Sequence, residues 1–100
     1  MAPAMTIFNQ LPGKVMHVRC EEGGLDFERA RQVARDRAAR ECDDPMLLAW
    51  YDGVRGVFYP DRECGPDGKP PWILYAESRG ADLAVDINDG RYVFLFLGID

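Results

Sequence analysis

The feature that most constrains this chain is a pair of short apolar segments joined by Asn88-Asp89-Gly90-Arg91. Asp-Gly between two such segments is a strong signal for a two-residue hairpin loop, because both loop positions require a positive φ. A loop of this length pairs Asn88 with Arg91, and side chains directly opposite each other share a face. The resulting register puts six apolar side chains on one face: Leu83 opposite Phe96, Val85 opposite Phe94, and Ile87 opposite Tyr92.

One segment before this hairpin has the periodicity of an amphipathic helix. Asp26 is the predicted N-cap, because its carboxylate can accept the first unpaired backbone N–H groups, and the helix is predicted to end near Cys42. Alanine has little volume, so this helix is expected to lie close to a sheet whose aromatic side chains fill the core. The apolar stripe at about 100° per residue consists of Phe27, Ala30, Ala34 and Ala38.

The other apolar segments are predicted to be strands. They are Thr6–Asn9, Lys14–Cys20, Met46–Tyr51, Val57–Tyr59 and Trp72–Ala76. The proline-rich segment Pro60–Pro71 is predicted to be a loop. The fold class that follows is α+β, with one amphipathic helix packed on a mostly antiparallel sheet built from hairpins, in a single domain of 100 residues.

Composition excludes several classes of function. The formal net charge of -5 opposes binding to nucleic acid, which requires clustered Lys and Arg. No apolar segment approaches the roughly 18–20 residues of a membrane span, and the first residues do not resemble a secretion signal. Three cysteines are an odd number for a disulfide framework, so reduced thiols and a cytoplasmic location are predicted. No phosphate loop or dinucleotide fingerprint is present, and no cofactor is predicted.

The second face of the predicted hairpin also carries apolar side chains, namely Val93, Leu95 and Leu97. A single helix cannot cover both faces of a sheet. Either the N-terminal segment folds over the second face or another copy of the chain covers it. The preferred interpretation is self-association, with these three residues as the candidate interface of a homodimer.

A metal site is the first chemistry to consider, because His17, Cys20, Cys42 and Cys64 are ligand types that zinc prefers. The spacing opposes it, since His17 and Cys20 are three apart in a predicted strand and point to opposite faces. No metal site is therefore predicted. Cys64 is expected to be an exposed loop thiol, and its acidic neighbours disfavour the thiolate.

Two other polar groups are candidates for binding a polar ligand. Glu77, Ser78 and Arg79 end a predicted strand, where a carboxylate, a hydroxyl and a guanidinium converge. Asp86 shares a strand face with Asp82, and the two carboxylates could bind a hard cation. A simple turn and a solvated strand face are the plainer interpretations. The candidate ligand-binding residues are Cys64, Glu77, Ser78, Arg79 and Asp86.

The C-terminal half contains four segments that carry a family resemblance: Ala49–Gly53, the Glu63-Cys64 loop with Gly68-Lys69-Pro70, Tyr75–Leu83 and Asp86–Gly90. In these segments the chain resembles a family of small proteins of unknown function from anaerobic, sulfur-metabolising bacteria and archaea. Some members have a doubled cysteine where this chain has Cys64-Gly65, and this departure argues against a dithiol. The resemblance implies one folded unit and assigns no activity.

The function predicted from these features is a non-enzymatic binding or assembly module. Self-association is the expected interaction, and an unidentified protein partner is the other possibility. The alternative is a small-ligand or metal-handling protein that uses the Cys64 loop and the Glu77–Arg79 turn. A small enzyme would need a cleft that joins Glu77, Arg79, Asp86 and a loop thiol.

Overall fold

The computed structural model describes residues 11–21, 23–60 and 70–99. The elements in chain order are β1 (Lys14–Val18), α1 (Phe27–Ala38), β2 (Asp44–Asp52), β3 (Val57–Tyr59), α2 (Pro71–Ser78), β4 (Leu83–Ile87) and β5 (Tyr92–Ile99). Two helices pack on one five-stranded sheet, which confirms the α+β prediction. The predicted strand Thr6–Asn9 and the loop position Cys64 lie outside the described residues.

The strands follow the order β1-β4-β5-β2-β3 across the sheet. Three of the neighbouring pairs are antiparallel, whereas β1 and β4 run parallel. Parallel neighbours need a long crossover connection, and the chain from β1 to β4 supplies one that includes α1 and α2. The sheet is therefore mixed, with β1 at one edge and β3 at the other.

The β4–β5 hairpin has the register predicted from its loop. Leu83, Val85 and Ile87 lie opposite Phe96, Phe94 and Tyr92. The Arg91 N–H donates to the Asn88 carbonyl at 3.3 Å, and Asp89 and Gly90 between them have φ of 54° and 91°. This confirms the two-residue Asp-Gly loop.

The N-terminus of α1 is also as predicted. The Arg29 N–H donates to the Asp26 carboxylate at 2.9 Å. The helix ends at Ala38 rather than near Cys42. Beyond Ala38 the backbone includes hydrogen bonds between residues three apart, as in the bond from Glu41 N–H to the Ala38 carbonyl, which are typical of a 3₁₀ turn. The alanine stripe is fully buried and packs on the large side chains of β4 and β5: Ala30, Ala34 and Ala38 against Val85, Phe94 and Phe96.

The predicted strand at Trp72–Ala76 is wrong, because this segment forms helix α2. Its buried residues are Trp72, Ile73 and Ala76, a spacing that matches one face of a helix and not the alternation of a strand. Two sequence signals accompany it. Pro71 occupies the first helical position, and a glycine follows the C-cap.

The glycine that ends α2 is Gly80, with a φ of 89°. Its N–H donates to the Glu77 carbonyl at 3.0 Å, and the Ala81 N–H donates to the Ala76 carbonyl at 2.9 Å. These two bonds form a Schellman motif, in which a residue with positive φ closes the helix. The apolar run by itself fits a strand, whereas the residues at both of its ends indicate a helix.

Helix α2 covers the second face of the sheet. Val93 and Leu95 are fully buried there in a cluster with Ile73 and Ala76, and Leu97 packs against the same cluster. The candidate interface Val93, Leu95 and Leu97 is thus corrected: these side chains are covered from within one chain by a helix that the sequence analysis missed. No helix within the described ranges is long and apolar enough to cross a membrane.

Candidate functional site

Among the described residues, those predicted to bind a ligand lie in two separate places, and Cys64 is outside the described part. The Ser78 hydroxyl donates to the Tyr75 carbonyl at 2.7 Å, and the Arg79 guanidinium lies 4.7 Å from the centre of the Tyr75 ring. These are contacts within one helical turn. Asp86 lies on β4, four residues beyond Asp82, which immediately precedes that strand; four residues span roughly 13 Å at the ordinary strand rise. The group Glu77, Ser78 and Arg79 lies at the C-terminal end of α2, before β4 begins.

Asp86 is the predicted site residue whose environment is most unusual. It was expected on a solvated strand face, but only 1% of its surface is exposed. Its Oδ2 lies 2.9 Å from Nδ1 of His17, its direct neighbour in the parallel β1–β4 pair. Its Oδ1 accepts the Gly90 N–H at 2.6 Å. The structure therefore links a buried carboxylate to the single histidine of the chain.

The electrostatics of Asp86 are dominated by its removal from water. Burial raises the pKa of the Asp86 carboxyl above its usual value, and the hydrogen bonds from His17 and Gly90 oppose this rise without reversing it. The His17 side chain is 60% exposed, whereas that of Asp86 is fully buried. One end of the pair therefore contacts solvent and the other does not.

Further side-chain contacts surround this pair at the end of β1. The Asn88 amide accepts the Cys20 N–H at 2.8 Å and donates to the Cys20 carbonyl at 2.9 Å. Arg19 pairs with Asp89 at 3.0 Å. The β4–β5 turn thus holds the segment after β1 through side chains. Sequence reasoning missed these contacts, because His17 and Asp86 are 69 positions apart and only strand order makes them neighbours.

A cleft of about 490 Å³ opens between the N-terminus of α1 and the β2–β3 turn. It is lined by Leu25, Asp26, Phe27, Glu28, Asp52, Val54, Arg55 and Tyr92. Asp52 is buried and accepts the backbone N–H groups of Val54 and Arg55 and the Arg55 Nε–H, so it fixes the turn. Burial raises the pKa of the Tyr92 phenol, and the Asp52 charge adds to this effect.

The hairpin β2–β3 beside this cleft carries exposed apolar side chains. Among the residues that the structure describes, the exposed large hydrophobics all belong to this hairpin: Met46, Val54, Val57 and Tyr59. Val57 and Tyr59 lie opposite Asp52 and Trp50, which share the α1 side of the sheet with Tyr92 and Phe94. We call Trp50, Val54, Val57 and Tyr59 the hairpin patch.

Aromatic rings connect the hairpin patch to the core. The Phe27 ring centre is 4.5 Å from that of Trp50, and the Trp50 ring stacks on Tyr59 at 6.1 Å. Met46 lies outside the patch, because it is opposite Leu97 on the α2 side of the sheet. The sequence predicted this hairpin but gave no sign that its outer strand would be left uncovered.

The described part of the chain contains no group of three or more His, Cys, Asp or Glu side chains placed to hold a metal ion. Cys20 and Cys42 are partly buried free thiols. Cys42 Sγ donates to the Ala38 carbonyl at 3.7 Å, within the turn that follows α1. The Cys64 loop, which the metal-handling alternative would use together with the Glu77–Arg79 turn, lies outside the described residues.

Comparison with known proteins agrees with the resemblance seen in the sequence. Residues 13–96 match a family described as a domain of unknown function (DUF5619). An uncharacterized protein of Archaeoglobus fulgidus is 31% identical over 70 residues, which cover 70% of this chain and 74% of that protein. The crystal structure of a novel protein from the same organism is similar, with a TM-score of 0.76 and 27% identity over 88% of this chain and 96% of that one. The resemblance to a small family of unknown function is confirmed, and the chain belongs to the DUF5619 family.

Proposed function

We propose that this protein is a binding module without enzymatic activity, and that two copies associate through the hairpin patch. The observation that carries the proposal is the concentration of exposed large hydrophobic side chains on hairpin β2–β3. Val57 is 42% exposed, Tyr59 51% and Val54 55%. Clustered apolar surface on a soluble domain marks an interaction site more often than scattered single residues do.

The composition of the patch also fits a protein interface. Trp and Tyr are enriched at the centres of interfaces, because they bury a large area at a small cost in side-chain entropy. Trp50 and Tyr59 are already stacked on each other, and Phe27 supports them from α1. The rings are therefore held in place before a partner arrives, which lowers the entropy lost on binding.

A second copy of the chain is the partner that the surrounding charges favour. The cleft beside the patch carries acidic Asp26 and Glu28 together with basic Arg55. The Glu28 side chain is 73% exposed and that of Arg55 is 65% exposed. In a two-fold contact the same surface meets itself, so a rim with both signs can place Glu28 of one copy beside Arg55 of the other.

We further propose that the module works in the cytoplasm. Cys20 and Cys42 are free thiols, and reduced cysteines persist where glutathione and thioredoxin keep thiols reduced.

The test is sedimentation velocity of the wild type and of Val57→Lys over a wide range of protein concentration. We expect the wild type to form dimers as concentration rises and Val57→Lys to remain monomeric, because a buried lysine pair would be desolvated and repulsive. Val57 is exposed on an edge strand, where lysine is well tolerated, so the fold should be retained.

Met46→Lys is the matched control, since Met46 is 48% exposed on the opposite face of the same hairpin. This variant should associate as the wild type does. A wild type that stays monomeric at every concentration would overturn the proposal. Equal loss of association in Met46→Lys and Val57→Lys would also overturn it, because the contact would then not depend on the hairpin patch.

A further inference from the structure

We propose that His17 and Asp86 form a proton-sensitive clasp that fastens edge strand β1 to the β4–β5 turn. The contact joins three parts of the chain. Asp86 on β4 binds His17 of β1 through one carboxylate oxygen and the Gly90 N–H of the turn through the other. A change in charge at this carboxylate therefore acts on the strand edge and on the turn together.

The hydrogen bond has one direction when Asp86 is ionised. A carboxylate can only accept, so Nδ1 of His17 carries the proton that it donates. Uptake of a further proton by the imidazole places a positive charge on the donor as well, so the contact becomes an ion pair between imidazolium and carboxylate and is strengthened. Histidine is the side chain that ordinarily changes charge between about pH 5 and 8.

Among the described groups around the clasp, His17 is the one that can offset the negative charge of Asp86. Within the described residues, the charges that act on the Asp86 carboxylate come from His17 on β1 and from Asp89 in the turn. Asp89 is itself paired with Arg19 at 3.0 Å. The cross-strand neighbour on β5 is apolar Val93, and the buried α2 residues in the cluster on this side of the sheet are also apolar: Trp72, Ile73 and Ala76, with Tyr75 packed against that cluster.

Two titrations with opposite effects follow from this arrangement. When the imidazole is protonated, the buried carboxylate gains a cationic partner, and the clasp tightens. At lower pH the carboxylate itself is protonated, and the Gly90 N–H loses its charged acceptor. The two hydrogen bonds that Asp86 accepts are therefore strongest between the two steps, while burial of its charge lowers the net stability of the folded state there. The Asn88 amide, which bonds the Cys20 backbone at the same end, is not a titratable group.

The amide proton of Gly90 is the reporter, since it donates to Asp86 Oδ1 at 2.6 Å and a hydrogen bond of this length is sensitive to the charge of its acceptor. A pH titration followed by ¹H–¹⁵N NMR should show two inflections in the Gly90 resonance. The upper one coincides with the titration of the His17 ring, and the lower one follows Asp86. A single inflection, with no change during the His17 titration, would overturn the proposal.

Three variants separate the clasp from a general effect of pH. His17→Gln keeps a hydrogen-bond donor but does not titrate, so the upper inflection at Gly90 should be lost. Asp86→Asn should lose both inflections. Asp89→Asn removes the adjacent exposed carboxylate and should retain both. Should Asp86→Asn fail to fold, His17→Gln decides the matter, because persistence of the upper inflection in that variant would refute the clasp.

Discussion

Replacement of Ile73 by alanine tests whether α2 is a helix that covers the second face of the sheet. Ile73 is fully buried, whereas Leu74, the next residue of the same helix, is half-buried. In a strand, Leu74 would share its face with Trp72 and Ala76, and Ile73 would face the other side. In the helix, Trp72, Ile73 and Ala76 are buried together. A strand would make Leu74→Ala the more destabilising of the two substitutions, whereas the helix makes Ile73→Ala the more destabilising.

The loss of stability expected for Ile73→Ala follows from the complete burial of the isoleucine side chain. Replacing isoleucine by alanine removes three carbons, and at about 0.8 kcal/mol for each buried methylene the lost transfer free energy is about 2.4 kcal/mol. The cavity left beside Val93 and Leu95 adds to this loss, so the free energy of unfolding should fall by about 2–5 kcal/mol. At about 4–8 °C per kcal/mol for a domain of this size, the melting temperature should fall by about 8–40 °C.

Leu74→Ala is the matched control. It removes the same number of carbons from the same helix, and both variants gain the high helix propensity of alanine. Urea and thermal unfolding, followed by circular dichroism, should give a clearly smaller loss of stability for Leu74→Ala than for Ile73→Ala. If Leu74→Ala costs more, or if Ile73→Ala changes the free energy of unfolding by less than about 0.5 kcal/mol, the assignment of α2 is refuted.

Two further predictions concern the other face of the sheet and the buried carboxylate. Ala34→Leu should lower the free energy of unfolding by about 1–3 kcal/mol, because Ala34 is fully buried against the sheet and has no room for a larger side chain; an unchanged melting temperature would contradict this. Burial raises the pKa of Asp86, so the folded state holds this proton to higher pH than the unfolded state does. The free energy of unfolding of the wild type, relative to that of Asp86→Asn, should therefore fall as the pH rises from about 3 through the folded pKa of Asp86. Urea denaturation of both proteins at several pH values measures this change. A difference between the two free energies that does not vary with pH would contradict the prediction.

Local sequence signals were sufficient where one short segment determines its own geometry. The Asp89-Gly90 loop determined the register of β4 and β5, because positive φ at both positions leaves few alternatives. Asp26 marked the start of α1 for a similar reason, since its carboxylate caps the first turn directly. In both cases the partners are within a few residues of each other, and the prediction needed no knowledge of the rest of the chain.

The assignment of α2 failed although local signals were present. Trp72–Ala76 is an apolar run of a length that fits a strand or a buried helix, and periodicity alone does not separate the two. Pro71 at the first position and Gly80 after the C-cap favour a helix, and these two residues were the better guide. This error matters because α2 is the element that buries Val93 and Leu95. Without α2, the prediction has no part of the chain to pack on these two side chains and assigns them to an interface.

The sequence by itself determined the α+β class, the amphipathic α1 and the β4–β5 register, because each depends on contacts between residues that are close along the chain. Only the tertiary structure decided that α2 covers the second face, that Asp86 is buried against His17, and that the exposed apolar surface lies on hairpin β2–β3. These features depend on strand order, which places β1 beside β4 and leaves β3 at an edge. Strand order results from how all the elements share one core, and no short segment contains that information.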